Sequence, residues 1–372
     1  MKSLVHALPS ATPGTTHELT SLHFGRSAAT RKVYIQAALH ADETPSMLVA
    51  TVLREQLLAL ESRDALLCKV VLVPMANPIG LAQHVLGNFI GRFDLASGNN
   101  FNRGYPMLHE EIASAVDGNL TDDPRENVRT IRGAWRESLE KRRPKTEFEA
   151  LQSTLMLLAH DSDIVLDLHC SREAALHVYT GESIWPQAEP LARYLGARAS
   201  LLAIDSGAAS FDEAHSTTWW HLQQRFGQQF PIPDGCVAVT IEHRGQRDVS
   251  HELAEQDAMA IVHYLMHLGL VAGSAPPLPE LAFPATPLAG SEQLTAPATG
   301  VLVYRVRVGD AVDVGQPLFD IVDPVSGHRT TIASRTAGVL YMGRDVRFAK
   351  LGDPLGRVSG TRIIRSGNLL SA

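Results

Sequence analysis

His40 and Glu43 stand three residues apart in Leu39-His40-Ala41-Asp42-Glu43-Thr44-Pro45, a spacing that can offer a metal one ring nitrogen and one carboxylate. The apolar run before them, Val33 to Leu39, reads as a buried strand. Thr44 offers an N-cap oxygen and Pro45 suits the first helical position. The helix that follows carries Val49, Val52, Leu53, Leu57 and Leu60 on one face. His40 and Glu43 therefore fall in a tight turn between strand and helix, where ligands are held firmly and room remains for a further one. Alone the spacing is weak, since a surface turn with Glu43 at a helix N-terminus gives the same pattern.

Two later strand ends carry matching chemistry. In Ile164-Val165-Leu166-Asp167-Leu168-His169-Cys170-Ser171 the two-residue repeat of a strand puts Asp167 and His169 on one side. A carboxylate so placed can orient a ligating histidine, although a core histidine bonded to a carbonyl is the plain alternative. Cys236 to Ile241 is another apolar strand, ending in Glu242-His243-Arg244-Gly245. A carboxylate at such a strand end is either solvated or aimed into a site. Ahead of both, after the strand Cys68 to Pro74, runs a long loop with Gly91-Arg92-Phe93-Asp94 and Gly98-Asn99-Asn100-Phe101-Asn102-Arg103-Gly104-Tyr105-Pro106. Loops of that length are functional or disordered, and the glycines and aromatics favour order. Taken singly, Arg92 and Arg103 read as surface arginines.

The elements that position these residues read as strand, helix, strand with short links: Val33 to Leu39, the helix after Pro45, then Cys68 to Pro74. That is the sequence form of a parallel α/β sheet, whose functional loops gather at the strands' carboxyl ends. Residues 1–30 read as an edge strand with turns. Residues 107–150 are strongly charged and read as an inserted helical segment, a solvated cover or an oligomer contact. Leu151 to His160 and His251 to Leu268 read as helices, Leu176 to Tyr179 as a short strand, and Trp219-Trp220 as core or interface. Ser274 to Pro287 is a proline-rich linker or strap. Beyond it, short alternating strands separated by Gly and Asp predict a small all-β module, with Ala298-Thr299-Gly300-Val301-Leu302 echoed by Thr336-Ala337-Gly338-Val339-Leu340 as two related halves.

Composition excludes several classes. An apolar fraction of 45% and a charged fraction of 20% are those of a soluble globular protein. A net charge of -7 gives no case for nucleic acid or an anionic membrane. Arg357, Arg362 and Arg365 read as a solvated edge. Cys68, Cys170 and Cys236 are scattered, which argues against a disulfide framework. No apolar leader and no 18-residue apolar run occurs, so the expected location is cytoplasmic.

His40-x-x-Glu43, Arg92, Asn102-Arg103, His169 and Glu242, in this order on strand ends, resemble the zinc carboxypeptidase superfamily. The nearer likeness is to its succinylglutamate desuccinylase/aspartoacylase branch. Its N-L-N-R-x-F-P loop is similar to Asn100-Phe101-Asn102-Arg103-Gly104-Tyr105-Pro106, and its T-x-E-x-G segment to Thr240-Ile241-Glu242-His243-Arg244-Gly245 with one extra residue. The resemblance implies a mixed, largely parallel sheet flanked by helices, as a catalytic α/β domain over 1–287. A C-terminal β-sandwich module over 288–372 would be similar to a biotinyl or lipoyl domain, but Lys350, its sole lysine, is not at an attachment turn. It also implies one zinc ion on His40, Glu43 and His169, with Glu242 and Arg92 catalytic and Asn102 and Arg103 binding substrate.

Two histidines and a carboxylate leave zinc a position for a water whose pKa falls towards about 7. Glu242 would take its proton, Arg92 would stabilise the oxyanion, and Asn102 with Arg103 would bind a substrate carboxylate. The expectation is therefore hydrolysis of the amide in a small N-acyl amino acid, with a homo-oligomer left open. A carboxypeptidase or peptide-amide hydrolase is the alternative, and a catalytically idle scaffold a third.

Overall fold

The computed structural model describes residues 1–10 and 12–370. Its elements in chain order are strands β1 (Lys2–Leu8), β2 (His17–Phe24) and β3 (Lys32–Ala37), helix α1 (Thr44–Ser62), and strand β4 (Lys69–Val73). A one-turn helix α2 (Pro78–Leu81) and a small hairpin, β5 (His84–Val85) with β6 (Asn88–Phe89), open the long loop. Helices α3 (His109–Val116), α4 (Pro124–Lys141) and α5 (Glu147–Ala159) lead to β7 (Ile164–Ser171), β8 (Glu173–Ala174) and β9 (His177–Thr180). Then come α6 (Trp185–Leu195), β10 (Ala199–Leu202), α7 (Phe211–Phe226), β11 (Val237–Gly245), α8 (His251–His267) and β12 (Thr286–Pro287).

Apart from β5, β6 and β8, these strands form one mixed sheet in the order β1-β2-β4-β3-β7-β11-β9-β10-β12. Pairings β4-β3, β3-β7, β7-β11, β9-β10 and β10-β12 are parallel, so the sheet is largely parallel, as expected. Residues 1–30 supply two antiparallel strands rather than one, and β2 pairs with β4.

Alternation divides the core. Val33, Ile35, Leu166, Leu168, Val239 and Ile241 pack with helices α1, α6 and α8. Tyr34, Val165 and Ala238 face the opposite side, towards α3, α4, α5 and α7. Strand periodicity puts Gln36, Asp167, His169, Thr240 and Glu242 on that second face. The charged segment 107–150, expected as a helical insertion that is a solvated cover or an oligomer contact, also packs inward. Its helices bury Ile112, Val116, Ile131, Trp135 and Leu139 on the sheet, and only their outer faces carry the charges. The last of these helices starts at Glu147, capped by the Thr146 hydroxyl. Trp219 is core.

The strap is pinned: the Tyr194 hydroxyl donates to Pro276 O at 2.8 Å, and Arg193 Nε to Pro279 O. Beyond it the regular elements among the described residues are strands and one 3₁₀ turn, Leu288–Gly290. The strands are β13 (Glu292–Thr295), β14 (Gly300–Tyr304), β15 (Ala311–Val312), β16 (Pro317–Val322), β17 (Arg329–Ala333), β18 (Gly338–Gly343), β19 (Phe348–Ala349) and β20 (Pro354–Val358). They make two sheets, β13-β20-β18-β15 and β17-β16-β14-β19, around Leu302, Phe319, Ile321 and Leu340. The repeated Gly-Val-Leu segments start β14 and β18, one in each sheet. Each glycine is needed for close approach, since a Cβ would lie 2.4 Å from Val322 O at Gly300 and 1.6 Å from Ser359 O at Gly338. The terminal sheets do not hang free: β8 pairs with β18, and Val339 and Tyr341 pack with Ala199 and Leu201.

Two glycine substitutions should move stability in opposite directions. Gly338→Ala meets fixed backbone and should lose roughly 2 kcal/mol or more. Gly133→Ala, exposed inside α4 with nothing within 4 Å, should gain about 1 kcal/mol. Denaturant unfolding of both variants measures the pair.

Candidate metal and active site

Three neighbouring strands, β3, β7 and β11, deliver the site from their carboxyl ends. Glu242 pairs in register with His169, and Gln36 with Asp167. His40 follows β3 through Ala38, a non-glycine residue at φ 60°. The expected Thr44 cap is not there. Thr44 is already helical, the cap position belongs to Glu43, and no side chain caps α1. The Glu43 side chain is engaged elsewhere, while the Ser46 hydroxyl donates to Glu43 O at 2.7 Å.

Glu43 is 1% exposed and surrounded by donors. Its Oε1 meets His40 Nδ1 and Arg92 Nη2, both at 2.9 Å. Its Oε2 meets His169 Nδ1 at 2.7 Å and accepts from Cys170 N–H at 3.0 Å. Burial works against the charge, but His40 and His169 outweigh it and hold the carboxyl well below its ordinary range. Burial, aided by Arg92, lowers His40 to about 4, so this ring is neutral. Burial also lowers His169, yet Asp167 and Glu43 overcome it and hold that ring well above its ordinary value.

The outer nitrogen of each ring has its own partner. His40 Nε2 lies 2.7 Å from Asn100 Oδ1, an oxygen that also accepts Asn102 N–H at 2.8 Å. That second bond fixes the Asn100 amide, so Nε2 carries the proton and Nδ1 turns its lone pair inward. His169 Nε2 is 3.0 Å from Asp167 Oδ2, the orienting carboxylate expected from the D-x-H spacing. Behind it, Gln36 Nε2 donates to Asp167 Oδ1 at 2.9 Å, and the Tyr34 hydroxyl to Gln36 Oε1 at 2.8 Å. All four residues are buried.

Ligand atoms of His40, Glu43 and His169 lie within 4.8 Å of one another. A neutral ring with an inward lone pair, an ionised carboxylate and a second ring held by a carboxylate fit a divalent cation. His40, His169, Arg92, Asn102, Arg103 and Glu242 all line one cleft of about 790 Å³, counting its mouth. Glu242 is partly open to it. Burial, with Glu43 next, pushes its carboxyl up to about 7 against the pull of His169 and Arg92, while the Ser171 hydroxyl donates to it at 3.1 Å. Gly91 lets the Arg92 segment close on the His40 turn, because a Cβ there would sit 2.1 Å from Asp42 N.

The structure thus brings together all seven residues singled out in the sequence. Asn102 is more committed than expected: its Oδ1 accepts Phe211 N–H at 2.8 Å, and its Nδ2 lies 3.2 Å from His169 Nε2. Sequence reasoning missed Asn100 and Gln36. Gln36 had a signal, as the lone amide in a buried strand needs a partner. Arg357 is a correction: it is 9% exposed and lines the cleft rather than a solvated edge.

Metal content separates these parts. His40→Ala and His169→Ala should each lose stoichiometric metal by elemental analysis. Gln36→Leu keeps every ligand but frees Asp167, and should weaken metal affinity about 10- to 100-fold in a chelator titration.

Comparison with known proteins agrees with this geometry. The model of the succinylglutamate desuccinylase/aspartoacylase catalytic domain matches residues 29–268. A solved structure of a succinylglutamate desuccinylase/aspartoacylase family protein from Shewanella amazonensis SB2B is 26% identical, with TM-score 0.85 over 96% of this chain and 98% of that one. A similarly described protein from Shewanella frigidimarina NCIMB 400 is 24% identical, with TM-score 0.85 over 96% and 97%. The succinylglutamate desuccinylase/aspartoacylase from Rhodobacter sphaeroides shares the fold at 15% identity, with TM-score 0.66 over 97% and 96%. No curated protein matches the sequence. Among the described residues, no helix is long and apolar enough to cross a membrane. The catalytic-domain match spans well over half of the sequence, and the chain belongs to the succinylglutamate desuccinylase/aspartoacylase family of hydrolases.

Proposed function

We propose that the protein is a zinc-dependent hydrolase cleaving the amide bond of a small, carboxylate-bearing N-acyl amino acid. The observation that carries this reading is one cleft lined by two candidate metal ligands, Glu242, Arg92 and Arg103. His40, Glu43 and His169 would hold the ion. When bound, zinc supplies Lewis-acid polarisation and an acidified water.

The chain's own groups do the rest. Glu242, with its carboxyl raised towards neutrality, takes a proton from the attacking water and passes it to the leaving amine. Arg92, held on Glu43 by one nitrogen, directs remaining donors to the developing oxyanion, a task worth about 3 kcal/mol for one good donor. Arg103 binds the substrate carboxylate with its planar fork. Asn102 stands beside it and ties the loop to His169 and α7. A carboxypeptidase or peptide-amide hydrolase would use the same parts on a longer substrate. Leu288, Met342 and Arg357 of the terminal segment line the cleft and favour the smaller one. The same set of groups disfavours an idle scaffold.

Kinetics on a panel of N-acetyl, N-succinyl and N-formyl amino acids tests the reading, and failure of the zinc-loaded protein on all of them, with turnover of peptides, would favour the peptidase. Glu242→Gln should lower kcat by roughly 10² to 10⁴ with zinc still bound. Arg103 holds a group present in ground and transition states alike, so Arg103→Ala should mainly raise KM. Equal losses on substrates with and without the carboxylate would remove Arg103 from substrate binding.

A further inference from the structure

The chain changes register beside the residue placed above as proton carrier. Glu242 of β11 pairs with His169 of β7 and Gly245 with Ser171, so His243 and Arg244 together stand against Cys170 alone. Such a bulge bends its strand and re-aims the side chain next to it. Arg244 takes φ 64°, a left-handed conformation that crowds a residue with a Cβ. One carboxylate holds both extra residues. Asp257 of α8, 1% exposed, accepts Arg244 Nη1 at 2.7 Å and His243 Nδ1 at 2.8 Å on Oδ2, and Arg244 Nη2 at 3.0 Å on Oδ1. The two-pronged bond to a planar guanidinium fixes direction as well as distance. Beyond the bulge, Gly245 N–H donates to Asp248 Oδ2 at 2.8 Å, and Gln246 Nε2 to Asp42 Oδ2 at 2.9 Å. Asp42 lies in the turn between His40 and Glu43. The stretch after Glu242 is thus tied to α8 on one side and to the candidate metal turn on the other.

We propose that Asp257 is a positioning residue for Glu242, acting through the Arg244 bulge. The assignment rests on the hydrolase reading above. A general base has to take a proton and release it again, so a cage of strong donors would disable it. Its aim is better set by the backbone that carries it, with the Ser171 hydroxyl meeting Glu242 at 3.1 Å. Asp257 does not line the cleft. It acts on the transition state by holding the bulge, where a misplacement of about 1 Å can cost about 100-fold. Substrate binding, assigned to Arg103 and Asn102 on another segment, is left alone.

The zinc-loaded enzyme and its best panel substrate test this placement. Asp257→Ala should lower kcat about 30- to 100-fold, with KM within about threefold and stoichiometric metal retained. Asp257→Asn keeps the volume and one acceptor for Arg244, so it should fold even where alanine does not, and lose about tenfold. Adding Arg244→Gly to Asp257→Ala should recover about fivefold or more in kcat, because glycine holds φ 64° without a clamp. A merely structural brace would lower the thermal midpoint and leave kcat of the folded enzyme unchanged. That result, no recovery with glycine, or a KM rise as large as the loss of kcat would overturn the assignment. Crystal structures separate this claim from the hydrolase reading. A Glu242 carboxylate that leaves Ser171 in Asp257→Asn, with no panel substrate cleaved by wild type, supports Asp257 and sinks the hydrolase. Hydrolysis by wild type, with the Glu242–Ser171 bond intact and kcat unchanged in both Asp257 variants, does the reverse.

Discussion

A carboxylate shut away from water stays ionised only if donors occupy its lone pairs, and Glu43 imposes that requirement on everything around it. Three donors answer it, His169 Nδ1, Arg92 and the Cys170 amide, while His40 turns the lone pair of Nδ1 to the same carboxylate. Each ring committed inward then needs a partner for its outer nitrogen. Asn100 serves His40, and Asp167 serves His169. Asp167 is itself buried, so Gln36 and Tyr34 extend the chain of bonds into the sheet. Polar groups this deep are favourable only when paired, which makes the network a specifier of geometry as much as a source of stability; the Asn100 amide nitrogen is its buried atom without a partner.

Backbone geometry supplies the convergence. Parallel pairing of β7 between β3 and β11 places the three strand ends side by side, and a register of Glu242 opposite His169 puts both groups on one face. The chain then has to turn sharply without losing its aim. Ala38 leaves β3 at φ 60°, and Arg244 follows Glu242 at φ 64° inside a register shift of β11. Left-handed backbone is unfavourable for non-glycine residues and persists where surroundings over-determine it. Arg244 is clamped by Asp257 of α8, which also receives His243 Nδ1 at 2.8 Å. The extra residue in the Glu242 segment is thereby accommodated as a braced bulge.

The cleft carries charges of both signs, with Asp212, Glu213 and Glu242 in the same lining as three arginines. The sequence carries -7, which discourages polyanions at long range. Arg92, Arg103 and Arg357 nonetheless face a single enclosed space. The terminal sheets contribute to that enclosure because β8, two residues beyond β7, pairs directly with β18. The strand that carries His169 thus leads into the contact that brings the all-β part to the cleft.

What the sequence determined by itself was whatever depends on neighbours along the chain. The Val33 to Leu39 strand, the helix after Pro45, the side shared by Asp167 and His169, and the all-β texture after the strap all follow from periodicity and turn residues. The ordered set of His40, Glu43, Arg92, Asn102, Arg103, His169 and Glu242 was legible because those residues lie at strand ends or in one long loop. Tertiary structure decided what distant segments settle between them. Thr44 lost the cap position because Glu43 turned its side chain to groups 49 and 126 residues away. Segment 107–150 became core because the second face of the sheet needed covering, a demand invisible in a charged helix read alone. Asn102 was drawn to His169 and Phe211, and Arg357 was moved from an apparent surface edge to the cleft wall. The reason is the same in each case: burial and hydrogen-bond satisfaction are set by contacts far apart in sequence, whereas period and propensity are set by the next few residues.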